Sequence, residues 1–451
     1  MPCTKYCIAV FLISPAFAQQ LQNRPPVLQL SLKQAVEIAL APEGNTRVRL
    51  AEEALKQSET QSNQSRAALL PDFESYVQYQ NETNNIKAFG FNFSSFIPPI
   101  PGLNLNFPSL LGPFSILDVR ANVNQSIFDF SSLRRYQASK VAIQATKAEN
   151  DGTRDQVTDQ VARAYLAALR AQAALDTARA NVELSEALLR LAQSQKAAGT
   201  GTGIEITRAQ VQLANDRQLA LVAENDLDRA RLQLLKVVGL RLDNPVELTA
   251  KLEYVQMESM NEAQALAIAQ EHRAELKAQR RREDHARLNY SATRMERLPT
   301  LAAFANYGDL GSGLTNALPT RSVGFTAKIP LFDGGRRDAR RAESASLYRQ
   351  EKIRTVDLHD QIELEVREAL DGMRSADAQV KTAEEGLMLA ENEVAQAERR
   401  YRAGVTNSIE VTDAQTRLAR ARDNRINALY NYNLARIDLG TATGTIQSMI
   451  Q

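Results

Sequence analysis

Cysteine is almost missing from this chain of 451 residues: Cys3 and Cys7 both fall within the first eighteen, and neither follows the Leu-small-small pattern that precedes a lipid-modified cysteine. The remainder therefore has no disulfide, no thiol nucleophile and no thiolate metal site. Charge of one sign is missing too. Lys and Arg number 54 against 53 Asp and Glu, a formal +1, so no basic field points to nucleic acid and no acidic tail points to a cationic partner. Histidine is scarce: His272, His285 and His359 are scattered along polar stretches without ligand spacing. No nucleophile motif occurs, and carboxylates such as Glu363 and Glu365 sit among basic neighbours, so neither an enzyme nor a metal or other cofactor is expected. After the first eighteen residues no apolar run approaches the roughly 20 residues of a membrane-spanning helix. Proline is absent from 114 to 244 and after 330.

What is present begins with an export signal. Residues 1–18, MPCTKYCIAVFLISPAFA, combine Lys5, a run of about a dozen mostly apolar residues and Ala16-Phe17-Ala18 as a small-x-small cleavage site before Gln19. The rest is a tandem duplication. SLKQAVEIAL at 31 and SMNEAQALAI at 259 each reach a proline 40 residues later, Pro71 in LLPDF and Pro299 in RLPTL; IFDF at 127 matches LFDG at 331, and GTGTGIEITRAQ at 199 matches GVTNSIEVTDAQ at 404. The boundaries read as a first repeat at 19–240, a linker at 241–258, a second repeat at 259–444 and a tail at 445–451. The first copy is longer by about two dozen residues. They include the stretch from 89 to 113, expected to be a surface loop.

Composition divides each copy into two materials. Two of the 14 Phe lie in the signal; the other twelve fall at 73–130 or 304–332. In those windows apolar and polar residues alternate with period two: Leu117, Val119, Ala121 and Val123 interleave with Asp118, Arg120, Asn122 and Asn124, as Val323, Phe325, Ala327 and Ile329 do with Ser322, Gly324, Thr326 and Lys328. With 73–79 and 301–307 as partners, each repeat supplies one strand pair, within 71–130 and within 299–332. Elsewhere the period is helical. Val366, Ala369, Met373, Ala376, Val380, Ala383, Leu387, Ala390, Val394, Ala397 and Tyr401 advance by alternate steps of three and four, a coiled-coil seam rich in alanine that lets helices approach closely. The 68 residues from 335 to 402 would extend roughly 100 Å as helix.

Each long helix is expected to turn back at a tip, giving helical hairpins at 131–240 and 335–442. Gly199 and Gly404 suit the left-handed conformation that ends a helix, and Thr202-x-x-Glu205 and Asn407-x-x-Glu410 read as capping boxes opening the return helices. GTGTG at 199–203 lacks the preceding strand and the following Lys-Ser/Thr of a phosphate loop.

Four strands cannot close a membrane barrel, which needs about eight, and an open sheet edge is not tolerated in lipid. Further copies of the chain must complete it: two would give eight strands, three would give twelve. The alternation assigns Phe73, Val77, Tyr79, Leu117, Val119, Val123, Val323, Phe325 and Ile329 to lipid, and Glu74, Gln78, Asp118, Arg120, Asn122, Asn124, Thr326 and Lys328 to a polar lumen. A soluble β-sandwich beside a helical bundle would use the same alternation; export, segregated aromatics and the lack of disulfides favour the outer membrane.

The duplicated plan, LLPDF and LPTL, IPLFDGGRR at 329–337, YRAGVTNSIEVTDAQTRL at 401–418 and the closing LGTATG at 439–444 resemble the TolC family of outer-membrane efflux and secretion channels over almost the whole mature chain. The resemblance implies an α+β membrane protein that forms a homotrimer: a 12-stranded β-barrel in outer-membrane lipid continued by a periplasmic α-helical barrel. Its tips would meet a periplasmic adaptor bound to an inner-membrane pump of RND or ABC type, and the channel itself would be a passive duct. By the same resemblance Glu410 and Asp413 match an acidic ring at the periplasmic entrance, Tyr401 a tyrosine of the closing network and Glu205 the acidic position of the first tip. Thr406 stands where an arginine is familiar, so the same charged latch cannot form. The turns Ala198-Gly199-Thr200 and Ala403-Gly404-Val405 would be the adaptor contacts. The competing reading is a periplasmic adaptor or coiled-coil scaffold, which would show one hairpin and an inner-membrane anchor rather than two hairpins, each preceded by strands.

Overall fold

The computed structural model describes residues 27–90, 109–257 and 260–450; the export signal at 1–18 and most of the expected loop at 89–113 lie outside them. Each repeat is built as two helices, two strands and two further helices. In the first these are α1 (Leu32–Leu40), α2 (Thr46–Ala67), β2 (Asp72–Asn85), β3 (Leu110–Phe128), α3 (Phe130–Ala197) and α4 (Gly203–Val238), with a short strand β1 (Leu28–Leu30) ahead of them. A strand β4 (Val246–Leu248) leads into the second: α5 (Glu262–His272), α6 (Ala274–Met295), β5 (Thr300–Gly311), β6 (Leu318–Lys328), α7 (Arg336–Arg402) and α8 (Ser408–Thr443), closed by α9 (Ile446–Ile450). No helix among the described residues is long and apolar enough to cross a membrane.

The two long helices, α3 with 68 residues and α7 with 67, run about 100 Å each. Their return helices have 36 residues apiece, so the hairpins are lopsided. The strand-side half of α3 is covered instead by the 22-residue α2 and α6, and that of α7 by α6; these are the repeated segments that run up to Pro71 and Pro299. On the tip-side half the alanine seam packs α7 against α8. Val366, Ala369, Ala376, Val380, Ala390, Val394 and Ala397 are buried on α7, as are Val411, Ala414, Leu418, Ala428, Tyr432, Ala435 and Leu439 on α8.

Midway along the helices a compact unit ties the two repeats together. β1 pairs in parallel with β4, Leu28 opposite Val246 and Leu30 opposite Leu248. Around them Val48, Val157, Val161, Tyr165, Leu234, Val238 and Ile446 form a buried cluster, each fully buried Leu, Ile or Val contributing roughly 1.5–3 kcal/mol. The Tyr165 hydroxyl donates to the Leu30 carbonyl at 2.9 Å, which satisfies its polar end. The linker at 241–258 is thus partly strand, and the tail at 445–451 carries a short helix whose Ile446 is in the core.

The four long strands form a single antiparallel sheet in the order β2-β3-β5-β6. At 11 to 19 residues they reach or exceed the 9–11 that a tilted strand needs to cross lipid. The pairing of β3 with β5 joins the repeats, and among the described residues β2 and β6 are left as edges.

Candidate functional site

Register decides what each face of the sheet carries. Phe73 pairs with Val123, Val77 with Val119 and Tyr79 with Leu117; Val119 and Val123 continue to Asp309 and Ala305, and Ala303 and Ala305 to Phe325 and Val323. Directly opposed residues of an antiparallel pair share a face, so these side chains make one mostly apolar surface. Phe73 is 74% exposed, and Val77, Tyr79, Val323 and Phe325 are similarly open. Ile329 lies one residue past β6 and is exposed; Leu117 departs from the set, since in the chain it is buried. Toward the far end the band gives way to Arg321 and Asp309.

The opposite face is polar and knitted across strands. Glu74 pairs with Asn122, Gln78 with Asp118 and Asp72 with Asn124, while Thr326 and Lys328 occupy the same face of β6. Arg120 lies 3.2 Å from Asp118 and 3.4 Å from the Thr320 hydroxyl, the Tyr76 hydroxyl donates to Asp118 at 3.2 Å, and the Asn306 amide donates to Ser322 at 2.7 Å. One sheet therefore presents a greasy side and a hydrogen-bonded side, with two unpaired edges. In lipid each unsatisfied backbone group costs several kcal/mol, so such a sheet is stable only when its edges are matched. An even number of strands per chain lets β6 of one copy meet β2 of the next in antiparallel sense throughout a ring.

At the other end of the molecule are the tips. Gly199 and Gly404 have φ of +78° and +69°, the left-handed conformation in which glycine carries no Cβ penalty. The amides of Gly199 and Gly404 return to the Lys196 and Tyr401 carbonyls at 3.0 Å each. Ala198, Gly199, Thr200, Ala403, Gly404 and Val405 are all exposed, Val405 strongly so. On the first tip the capping box forms: the Thr202 amide donates to Glu205 Oε2 at 3.0 Å. On the second it does not close. Asn407 Oδ1 accepts the Ile409 amide at 3.1 Å, but the Glu410 carboxylate turns away, accepting the Thr406 hydroxyl and facing Arg400 Nε at 3.5 Å. In the sequence Arg400, one residue before Tyr401, reads only as one cation in a basic helix end.

Tyr401 is 2% exposed and packs among Leu188, Ala209, Val394, Val411 and Ala414. Gln195 of α3 donates to its carbonyl at 3.2 Å, tying one hairpin to the other. Its hydroxyl makes no hydrogen bond among the described residues. Burial pushes its pKa above 10, and the nearby charge of Glu205 adds to the rise. Asp413 is exposed and in no ion pair among the described residues; Arg417, which feels its charge, is held by Glu393 at 2.7 Å. Those residues contain no cluster of His, Cys, Asp and Glu that could hold a metal ion.

This combination of a lipid-length sheet and 100 Å helices has relatives. A family model described as "Outer membrane efflux protein" matches residues 38–240 and 265–445. The chain belongs to the outer membrane efflux protein family. It is 26% identical over 325 residues to the alkaline protease secretion protein AprF of Pseudomonas aeruginosa, covering 69% of this chain and 66% of that protein. To the outer membrane protein TolC of Vibrio cholerae it is 23% identical over 345 residues, covering 73% and 77%. The chain therefore aligns with about two thirds to three quarters of these relatives' length. Among solved structures, the outer membrane protein VceC of Vibrio cholerae superposes with a TM-score of 0.75 at 18% identity, covering 92% of this chain and 96% of that one. Membership of the family places the protein in the outer membrane as a channel with a large periplasmic helical part, and removes the adaptor or scaffold alternative.

Proposed function

We propose that three copies of this chain close a 12-stranded barrel in the outer membrane and continue it as a periplasmic helical tube, forming a passive exit duct without enzymatic activity. The observation that carries this reading is the sheet itself: one apolar face, one polar face and two open edges on strands long enough to span lipid. Phe73, Val77, Tyr79, Val119, Val123, Phe325 and Ile329 face the hydrocarbon. The duct serves a tripartite efflux pump or a type I secretion system, the latter supported by the naming of AprF as a protease secretion protein. A periplasmic adaptor meets the exposed turns Ala198–Thr200 and Ala403–Val405, and couples them to an inner-membrane transporter. Glu410, Asp413 and Glu205 give the entrance its acidic charge, with Tyr401 and Thr406 in its closing contacts. Energy enters through the partners alone. Purified protein added to planar bilayers should produce stepwise, ohmic conductance with no nucleotide and no imposed gradient; a protein that stays in solution and opens no pores would overturn the assignment.

A further inference from the structure

Where the sheet hands over to the helices, this nearly neutral chain concentrates positive charge. The four junctions, residues 61–71, 129–141, 292–299 and 329–342, together hold ten Arg and Lys against four Asp and Glu, a net +6 in a molecule whose total is +1. The acidic residues are already committed: Glu296 to Arg135 and Arg340, Asp338 to Arg297, Asp333 to Arg337, and Asp129 to capping α3 through the Ser132 amide. Arg66, Arg336 and Arg341 are left with no carboxylate in ion-pair contact among the described residues. The same junctions carry exposed apolar side chains. Leu331 is 92% and Phe332 89% exposed, directly after β6, and Leu70, Phe130 and Leu298 are open at the other three.

We propose that this collar binds the anionic phospholipid headgroups of the periplasmic leaflet, with Leu331 and Phe332 seated in the adjoining acyl region and Arg336 and Arg341 on the phosphates. Continuity and charge select this occupant. The collar adjoins the apolar band that the proposed function puts in lipid, on which this inference rests, and aromatic and basic residues at that depth are the usual anchors of a membrane interface. An excess of guanidinium groups beside apolar side chains matches a layer that is anionic at its surface and greasy just beneath. It does not match an aqueous pore wall, where exposed Leu and Phe gain nothing.

The chain contains no tryptophan, so Phe332→Trp gives a single fluorescent reporter in the assembled protein. In phosphatidylcholine vesicles doped with brominated phosphatidylcholine or brominated phosphatidylglycerol, both lipids should quench it. The anionic lipid should be preferred about fivefold for each engaged guanidinium at low salt, the preference shrinking at 1 M salt, where the screening length falls to roughly 3 Å. Adding Arg336→Gln and Arg341→Gln should bring the two lipids to parity. Equal quenching before those substitutions, or a preference that survives them, overturns the anionic-lipid site. Absence of quenching by either lipid refutes the membrane placement of the collar itself, a separate failure. If the Phe332→Trp protein does not assemble, Leu331→Trp serves the same comparison.

Discussion

Arg400 governs how much of the acidic charge at the second tip an ion would meet. Its Nε lies 3.5 Å from Glu410 Oε1, where Coulomb attraction amounts to about 1 kcal/mol in a water-like dielectric. The two side chains are 57% and 36% exposed, and the cost of ordering them leaves a net of a few tenths of a kcal/mol. The pair is too weak to hold the hairpin closed, yet it cancels one charge. Glu410, Asp413 and Arg400 together sum to −1; Arg400→Gln takes that sum to −2, and Asp413→Asn takes it to zero. The expected result is a rise in the potassium-to-chloride permeability ratio for Arg400→Gln and a fall for Asp413→Asn. Reversal potentials in planar bilayers should show both at about 0.1 M salt, where the screening length is roughly 10 Å, and much less at 1 M. Thermal stability should change by less than about 1 kcal/mol. An unchanged or lowered cation preference in Arg400→Gln, with the protein still assembled, would refute the reasoning.

The turns make a second test. Gly404 has positive φ and open space where a Cβ would stand, whereas at Gly444, φ +72°, a Cβ would come within 2.8 Å of the Arg273 backbone nitrogen. Gly404→Ala should therefore cost about 1–2 kcal/mol, and Gly444→Ala about 3 kcal/mol or more because backbone overlap is added to the strain; equal losses in thermal unfolding would contradict this. In the first hairpin Ser185 and Asp216 form a buried hydrogen-bonded pair at positions where the second repeat has Ala390 and Ala421. Ser185→Ala alone should cost about 1–3 kcal/mol, and the double change to alanine less than the sum of the single ones; additivity in a double-mutant cycle would argue against coupling. Burial raises the Asp155 pKa above 3.8, partly opposed by the hydrogen bond from Gln447. A carboxyl with a raised folded pKa supports the fold below its unfolded value and loses that support as pH rises through the folded one. Asp155→Asn, which keeps the acceptor for Gln447, should thus raise the melting temperature at neutral pH and have little effect below pH 3.8; the opposite ordering would sink the assignment.

The sheet faces and the helix seam were legible because both are local periodicities. Phe73, Val77 and Tyr79 declare their face two residues at a time, and Val366 to Tyr401 declare theirs every seven. The central unit was not legible, since β1 and β4 are three residues each and meet across more than 200 positions of chain; nothing within either announces the other. At the second tip, spacing alone suggested a capping box from Asn407 to Glu410, but spacing cannot show that Thr406 and Arg400 compete for the same carboxylate. The cation near Glu410 comes from the end of the outgoing helix. The lopsidedness of the hairpins is not local information: α2 and α6 are polar on average, and only their packing, α2 on α3 and α6 on α3 and α7, shows which halves of the long helices they cover.

In the proposed duct one chain supplies four strands of a ring completed by its own copies. Native mass measurement of the assembly extracted from outer membranes in mild detergent tests it most directly. Three chains per particle are predicted, held together until the sheet itself is denatured; a particle of one chain whose four-stranded sheet persists unpaired in lipid would contradict the account.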